Sequence, residues 1–380
     1  MTHPLAVLLP QPGVVSETFI RRHVQELLPG RTVMLTERLP ENPEWSFQGP
    51  MLLLHSKRYG LPARVLHRLH LGGHPAAGAL RRFLHTHETT VVLGEYLDYS
   101  HQWLKTLSPK VRFFAHAHGY DVSQLLKLPE WRLKYLDFRH AAGVITMSEL
   151  NKRELVEIGL PASLIHVIPY GVDVSETEPT RFSINSSEST KPIRLLAVGR
   201  MVAKKAPLLL LQSVLEARQV LGAGALRLDY IGDGPYFEAA KTLLQQSAAT
   251  EDIILHGAKP NSFVQELMKQ ADVFVQHSRT DPETGDREGM PVAILEAMAA
   301  GLPVVSTMHA GIPESVLHGT TGLLSPEGDA DAFTRSLLEL IQTEKLQRLA
   351  MGLAAWQRAK SEFSWRVERQ RLLELMGLST

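Results

Sequence analysis

Two glutamates, Glu288 and Glu296, stand eight residues apart around the step Gly289-Met290-Pro291. A run of small residues follows and ends in Gly301-Leu302-Pro303-Val304-Val305. Gly289 and Pro291 suit a turn into a helix, with the proline near the first helical position, where its missing N–H costs nothing. Such a helix start leaves backbone N–H groups unpaired and carries partial positive charge, so it can hold an anion. Glu288 then falls on the loop at the lip of a pocket, and Glu296 lies about a turn inside the helix.

Carboxylates at two depths beside an anion-binding helix start suit a nucleotide-sugar, one for sugar hydroxyls and one for ribose hydroxyls. Either glutamate alone reads equally well as the solvated acid of an amphipathic helix. Three cations, Arg200, Lys204 and Lys205, follow Val198-Gly199. Arginine can clamp phosphate oxygens in bidentate fashion and lysine acts as a point charge, each charge-assisted bond contributing roughly 1.5–3 kcal/mol; a solvated basic loop is the competing reading. His116, His118 and Asp121 stand at the end of the apolar run Phe113-Phe114-Ala115. In a strand the two histidines share a face, so a metal pair is one reading, although no nearby cluster offers the remaining ligands. A functional His118 beside the Gly119 turn and a satisfied core histidine are the others.

Gly232 and Gly234 allow close backbone approach or serve an ordinary turn. Gly311-Ile312-Pro313-Glu314 reads as a loop entering a helix, and Asp329-Ala330-Asp331 favours helix capping over a divalent metal. From Met51 to His87 there are six histidines, Lys57, Arg58, Arg64, Arg68, Arg81 and Arg82, and no acidic residue. That segment suits contact with an anionic membrane or an acidic substrate, or is a solvated helix face.

The elements that must carry these residues alternate between short apolar runs and longer helical patterns, which predicts α/β architecture with parallel sheets. Strands are expected at 5–9, 31–35, 90–93, 111–116, 143–147 and 166–168, with helices at 17–28, 61–70, 76–87 and 148–157. Residues 174–191 turn to Ser, Thr, Glu, Pro and Asn and read as a linker. A second series follows, with strands at 194–198, 226–231, 253–256, 273–276, 304–306 and 322–324, and helices including 206–220, 235–247, 330–343 and 344–378. Two doubly wound, Rossmann-like domains, 1–173 and 192–360, are therefore expected to face a central cleft, with a final helix over 361–380 packing back on the first. Ligands of such sheets bind at the carboxyl ends of the strands.

The 380 residues suffice for two domains, and 40 basic residues balance 40 acidic ones, so no nucleic-acid partner is expected. Absence of cysteine excludes disulfides, thiolate zinc sites and a cysteine nucleophile. No apolar run approaches the roughly 20 residues that span a bilayer, and the N-terminus is broken too soon by proline for a signal peptide. A cytoplasmic protein, at most peripheral at a membrane, is the expectation.

With these residues in view, the chain resembles the retaining glycosyltransferases of family 4, which have the GT-B fold. The resemblance rests on Gly199-Arg200 with Lys205, Ile231-Gly232-Asp233-Gly234-Pro235, His256-Gly257, Glu288 with Glu296, Gly311-x-Pro313-Glu314, His118-Gly119-x-Asp121 and Ile168-Pro169-Tyr170-Gly171-Val172-Asp173. Ser16-Glu17-Thr18-Phe19-Ile20 resembles the subgroup that makes bacterial exopolysaccharides such as colanic acid. The resemblance implies that Arg200 and Lys205 bind the donor diphosphate and offset charge on the leaving group. It implies that Glu288 holds sugar hydroxyls with help from the backbone of Gly289, Met290, Pro291 and Val292, and that Glu296 binds the ribose. His118 is expected near the donor sugar, with Asp121 supporting its loop and Gly13 and Gly232 approaching the donor through the backbone. No metal or other cofactor is implied, and the acceptor would be a glycan or lipid-linked glycan on the side of domain 1–173. Gln11-Pro12-Gly13-Val14-Val15 stands where many members carry Gly-Gly, Ala206 stands where glycine is frequent after the lysine, and Tyr170 where asparagine is frequent. A nucleotide-sugar epimerase on the same fold and a non-catalytic glycosyltransferase-like subunit are the alternatives.

Overall fold

Runs such as Leu5–Leu9, apolar at every position, can be buried on both faces only inside a parallel sheet covered by helices. The computed structural model, which describes all residues except 1, 14–16, 41–44, 56–73, 183–191, 248, 250 and 380, has two such sheets. Two compact units result: Met1–Ile168 with Glu368–Thr380, and Pro169–Val367.

The first unit holds β1 (Leu5–Leu9), β2 (Thr32–Thr36), β3 (Met51–Leu53), β4 (Val91–Glu95), β5 (Arg112–His116), β6 (Gly143–Thr146) and β7 (Ile165–Val167). Their order is β3-β2-β1-β4-β5-β6-β7, all paired in parallel. The direction of winding reverses between β1 and β4, which opens a crevice at the carboxyl ends of those strands. Trp103, Tyr135 and Phe138 are fully buried beneath them.

The second unit holds β8 (Ile193–Val198), β9 (Leu226–Ile231), β10 (Ile253–Gly257), β11 (Val273–Val275), β12 (Val304–Thr307) and β13 (Gly322–Ser325). Their order is β10-β9-β8-β11-β12-β13, again parallel, with the reversal between β8 and β11. Leu210, Leu211, Phe333 and Leu337 fill the space between this sheet and the helices Pro207–Leu221 and Ala330–Gln342. Asp329 caps the latter by accepting from the Ala332 N–H at 2.8 Å, the capping role its position predicts.

Three differences from the sequence reading have local causes. Strand β3 has only three half-buried residues at the sheet edge, too few for a period to register. The helices Leu97–Leu104 and Pro129–Tyr135 are about two turns long and equally short of a pattern. The expected helix over 344–378 is two helices, Lys345–Glu362 and Trp365–Met376. Between them Val172 donates to the Phe363 carbonyl at 2.8 Å and accepts from the Trp365 N–H at 2.9 Å. A Cβ on Gly171 would lie 2.6 Å from Trp365 Cα, so the Tyr170-Gly171-Val172 step needs its glycine to reach this break.

The division falls at Ile168/Pro169 and resumes at Glu368, partway along the last helix. Within the expected linker, Arg181 donates to the carbonyls of Ala271 and Met268 at 2.9 and 2.6 Å, so this part is fastened to the second unit. Residues 183–191 of that linker and the expected helix at 61–70 lie outside the described residues. So does much of the basic segment 51–87, namely 56–73. Among the described residues no helix is long and apolar enough to cross a membrane.

Candidate active site

The switch point of the second sheet is built from the loops after β8 and β11. Gly199, at φ 154°, follows β8, and its missing Cβ leaves room for the Lys205 stem, whose Cδ would otherwise be 2.8 Å away. The loop after β9 packs against it: Met201 N–H donates to the Asp233 carbonyl at 2.8 Å. A Cβ on Gly232, at φ 150°, would lie 1.9 Å from the Gly199 carbonyl oxygen. Gly232 thus holds the Arg200 loop rather than serving a generic turn. Gly232→Ala is expected to lose roughly 2–3 kcal/mol through overlap and backbone strain, read as a lower urea midpoint with an unchanged slope. Ala206 adopts φ 37° and ψ 53°, the left-handed conformation that explains why glycine is usual at that position. Retaining a Cβ there costs roughly 1–2 kcal/mol.

Arg200 is exposed on this loop. Lys204 turns away to Asp286 at 3.0 Å and the Arg287 carbonyl at 3.2 Å, pinning the loop after β11. Lys205 reaches Glu288 at 3.3 Å, with 14% and 10% of the side chains exposed. Burial, with Lys204 and Arg200 nearby, holds Lys205 below the ordinary lysine range despite Glu288. Burial also opposes charge on Glu288, yet Lys205 and Lys204 keep it below the ordinary carboxylate range. Two further cations crowd Lys205, so an incoming anion would relieve repulsion there.

Glu288 is fixed through its backbone as well, an arrangement the sequence reading missed. Its N–H donates to His309 Nε2 at 3.2 Å. His309 is buried and burial depresses its basicity, so the neutral ring carries its proton on Nδ1 and donates it to Glu327. Glu327 also accepts from the Thr280 hydroxyl at 3.0 Å. Gly311 N–H donates to the Gly289 carbonyl at 3.1 Å, which brings the Gly311-Ile312-Pro313-Glu314 turn to the same loop. His309 lies after an apolar strand and two residues before that turn, the one signal that marks it.

The helix expected after this loop runs Val292–Ala299. Pro291 is its cap rather than its first residue, with φ −64° and ψ 113°, because its own carbonyl must accept from the Ile294 N–H at 3.0 Å. Met290 is buried, and Glu296 lies half-buried at the fifth helical position. Glu288, Gly289 and the helix start therefore share the loop after β11, which meets Lys205 of the loop after β8 at the 3.3 Å contact.

In the first unit Gly13 follows β1 at φ 106°, beside the other switch point; Val14, Val15 and Ser16 lie outside the described residues. His116 ends β5 and His118 follows it, their rings 4.5 Å apart. The expectation that no further ligating groups stand near them is corrected here. Glu95, at the end of β4, is fully buried with Oε2 at 2.9 Å from His118 Nε2 and 3.4 Å from His116 Nδ1. Its Oε1 meets His23 Nδ1 at 2.7 Å, and His23 Nε2 meets Glu368 at 3.1 Å. Burial opposes charge on His23, but Glu95 and Glu368 more than offset it and push its pKa up to about 10. Burial and His116 push His118 down to about 4, so it is neutral. Among the described residues, ligand atoms of His23, Glu95 and His116 lie within 4.8 Å of one another, the one grouping that could surround a cation. Protonated His23 already supplies the positive charge there. Asp121 accepts from the N–H groups of His118 and Leu97, both at 2.8 Å, and so does support the loop. Burial raises its pKa to about 7 against those bonds.

Comparison with known proteins bears on both units. The family described as Glycosyl transferases group 1 matches residues 192–343, and Glycosyltransferase Family 4 matches residues 38–176. The amylovoran biosynthesis glycosyltransferase AmsK of Erwinia amylovora is 34% identical over 263 residues, 68% of this chain and 62% of that protein. The putative colanic acid biosynthesis glycosyltransferase WcaL of Escherichia coli K12 gives the same identity and coverage. The chain thus spans less than two thirds of the length of these relatives. Anabaena HepE in complex with UDP superposes with a TM-score of 0.77 at 16% identity, covering 99% of this chain and all of HepE.

Proposed function

From the premise that this chain belongs to the group 1 and family 4 glycosyltransferases, with the GT-B fold, we propose that it moves a sugar from a nucleoside-diphosphate-sugar to an acceptor hydroxyl, with retention of configuration, in the assembly of a surface polysaccharide or glycolipid. The largely buried Lys205–Glu288 pair beside exposed Arg200, at a sheet switch point, is the observation that carries this reading. A diphosphate would take Arg200 and Lys205, which leaves Glu288 to accept from sugar hydroxyls. Glu296 serves the ribose, and the N–H groups of Gly289, Met290 and Val292 meet the remaining oxygens. His118 takes the sugar, with Gly13 and Gly232 contributing backbone.

As the bond from anomeric carbon to phosphate oxygen breaks, negative charge grows on the diphosphate, and two cations already in position stabilise it without reorganisation. That arrangement supplies electrostatically what a divalent ion could supply, and neither glutamate acts as a nucleophile. The acceptor attacks from the face the leaving group departs, and the diphosphate can take its proton.

Calorimetric titration with UDP-, GDP- and ADP-sugars tests the reading. At least one should bind, and Arg200→Ala should weaken it by about tenfold to a hundredfold, the scale of one charge-assisted contact. Binding of none would return the non-catalytic subunit as the better account, and isomerisation of a donor without acceptor would return the epimerase.

A further inference from the structure

We propose that Glu95 is a positioning residue that fixes the tautomer and orientation of His118, and that His23 and Glu368 hold Glu95 for this task. The inference rests on the reading of His118 as a sugar-binding group. Glu95 has no solvent exposure; its Oε1 meets His23 at 2.7 Å, and its Oε2 meets His118 at 2.9 Å with His116 Nδ1 farther off at 3.4 Å. An ionised carboxylate only accepts, so neutral His118 must carry its proton on Nε2 and present Nδ1 as an unprotonated nitrogen. Burial opposes the charge on Glu95, and His23 with the two neighbouring histidines holds the carboxyl well below its usual range, which keeps it an acceptor.

The ring is set from its other end too. The backbone N–H of His118 donates to Asp121 at 2.8 Å, and Phe19 and Tyr96 lie against the imidazole with centroids 4.9 and 4.5 Å away. Orientation and tautomer are thus fixed by separate contacts, and of these the Glu95 contact selects the nitrogen that carries the proton. An Nδ1 acceptor suits a hydroxyl donor such as a sugar. A cationic or Nδ1–H imidazole would instead suit a phosphate oxygen. A carboxylate behind a histidine gives this selection in many active sites.

The alternative is a buried ion network whose sole work is to tie the last helix to the sheet. Glu95→Gln separates the two. Glutamine has one acceptor oxygen, which protonated His23 would claim, so its amide NH2 would turn to His118 Nε2 and drive the proton to Nδ1. With histidine selectively labelled in nitrogen-15 in the full chain, and His118 assigned by a His118→Gln spectrum, wild type should show the Nε2–H form and Glu95→Gln the Nδ1–H form. An Nδ1–H ring in the wild type, or an unchanged ring in the variant, overturns the proposal; this readout needs no donor.

Turnover of UDP-glucose or GDP-mannose, whichever the wild type hydrolyses, tests the consequence. Glu95→Gln should lower kcat by about tenfold to a hundredfold with KM changed far less, and the loss should vanish in a His118→Ala background. A loss that persists there makes Glu95 merely structural. If His118→Ala alone keeps full turnover, the assignment of His118 to the sugar fails instead, and the tautomer result still decides the role of Glu95.

Discussion

Lys205→Met is expected to lower turnover by on the order of 10²–10³-fold, the scale of losing one preorganised group that meets developing charge. The same substitution leaves Glu288 mostly buried without its cation, and breaking a buried pair from one side costs about 3–5 kcal/mol. Lost activity alone would therefore be ambiguous. Lys205→Met combined with Glu288→Gln removes both charges, and it should recover most of the stability while turnover stays low. Urea denaturation beside steady-state rates reads the two effects separately. If the double variant recovered turnover along with stability, Lys205 would be a structural partner of Glu288 and Arg200 would carry the phosphate alone. Methionine keeps the unbranched stem against Gly199, so packing changes little.

How far the sequence reveals this site depends on how local each contact is. Val198-Gly199-Arg200 and Glu288-Gly289-Met290-Pro291 sit where a strand ends and a turn begins, and apolar runs with glycine and proline mark such places directly. All six strands of the second sheet were readable for that reason. Strand β3 of the first sheet, Met51–Leu53, was not, because three edge residues carry no period. The partners that set electrostatics are less visible still. Glu95 reaches His23 across 72 residues and His23 reaches Glu368 across 345, so no window of sequence contains the set. His309 and Glu327 are 18 residues apart and on neither motif. The Pro291 position shows the limit of a local rule: a proline beside a helix start can be the cap or the first residue, and the choice depends on which carbonyl accepts.

His23→Leu is expected to cost about 3–5 kcal/mol, because it leaves Glu95 and Glu368 buried without the cation between them. The pH dependence identifies the cause. In the folded chain His23 titrates near 10 rather than 6.5, so its contribution is complete below about pH 6.5 and is lost as pH rises toward 10. His118 behaves in the opposite sense. Its folded pKa is near 4, so the unfolded chain binds more protons between pH 4 and 6.5, and stability rises with pH across that interval. The two histidines share one carboxylate yet give opposing slopes; below pH 6.5 His277, also held near 4, acts with His118, and Asp121, raised to about 7, acts against both. Urea midpoints measured from pH 5 to 9.5 should fall on the alkaline side in the wild type and flatten there in His23→Leu. A wild-type curve that keeps rising to pH 9 would mean that His23 is neutral in the folded chain, and the buried carboxylates would then need another source of positive charge.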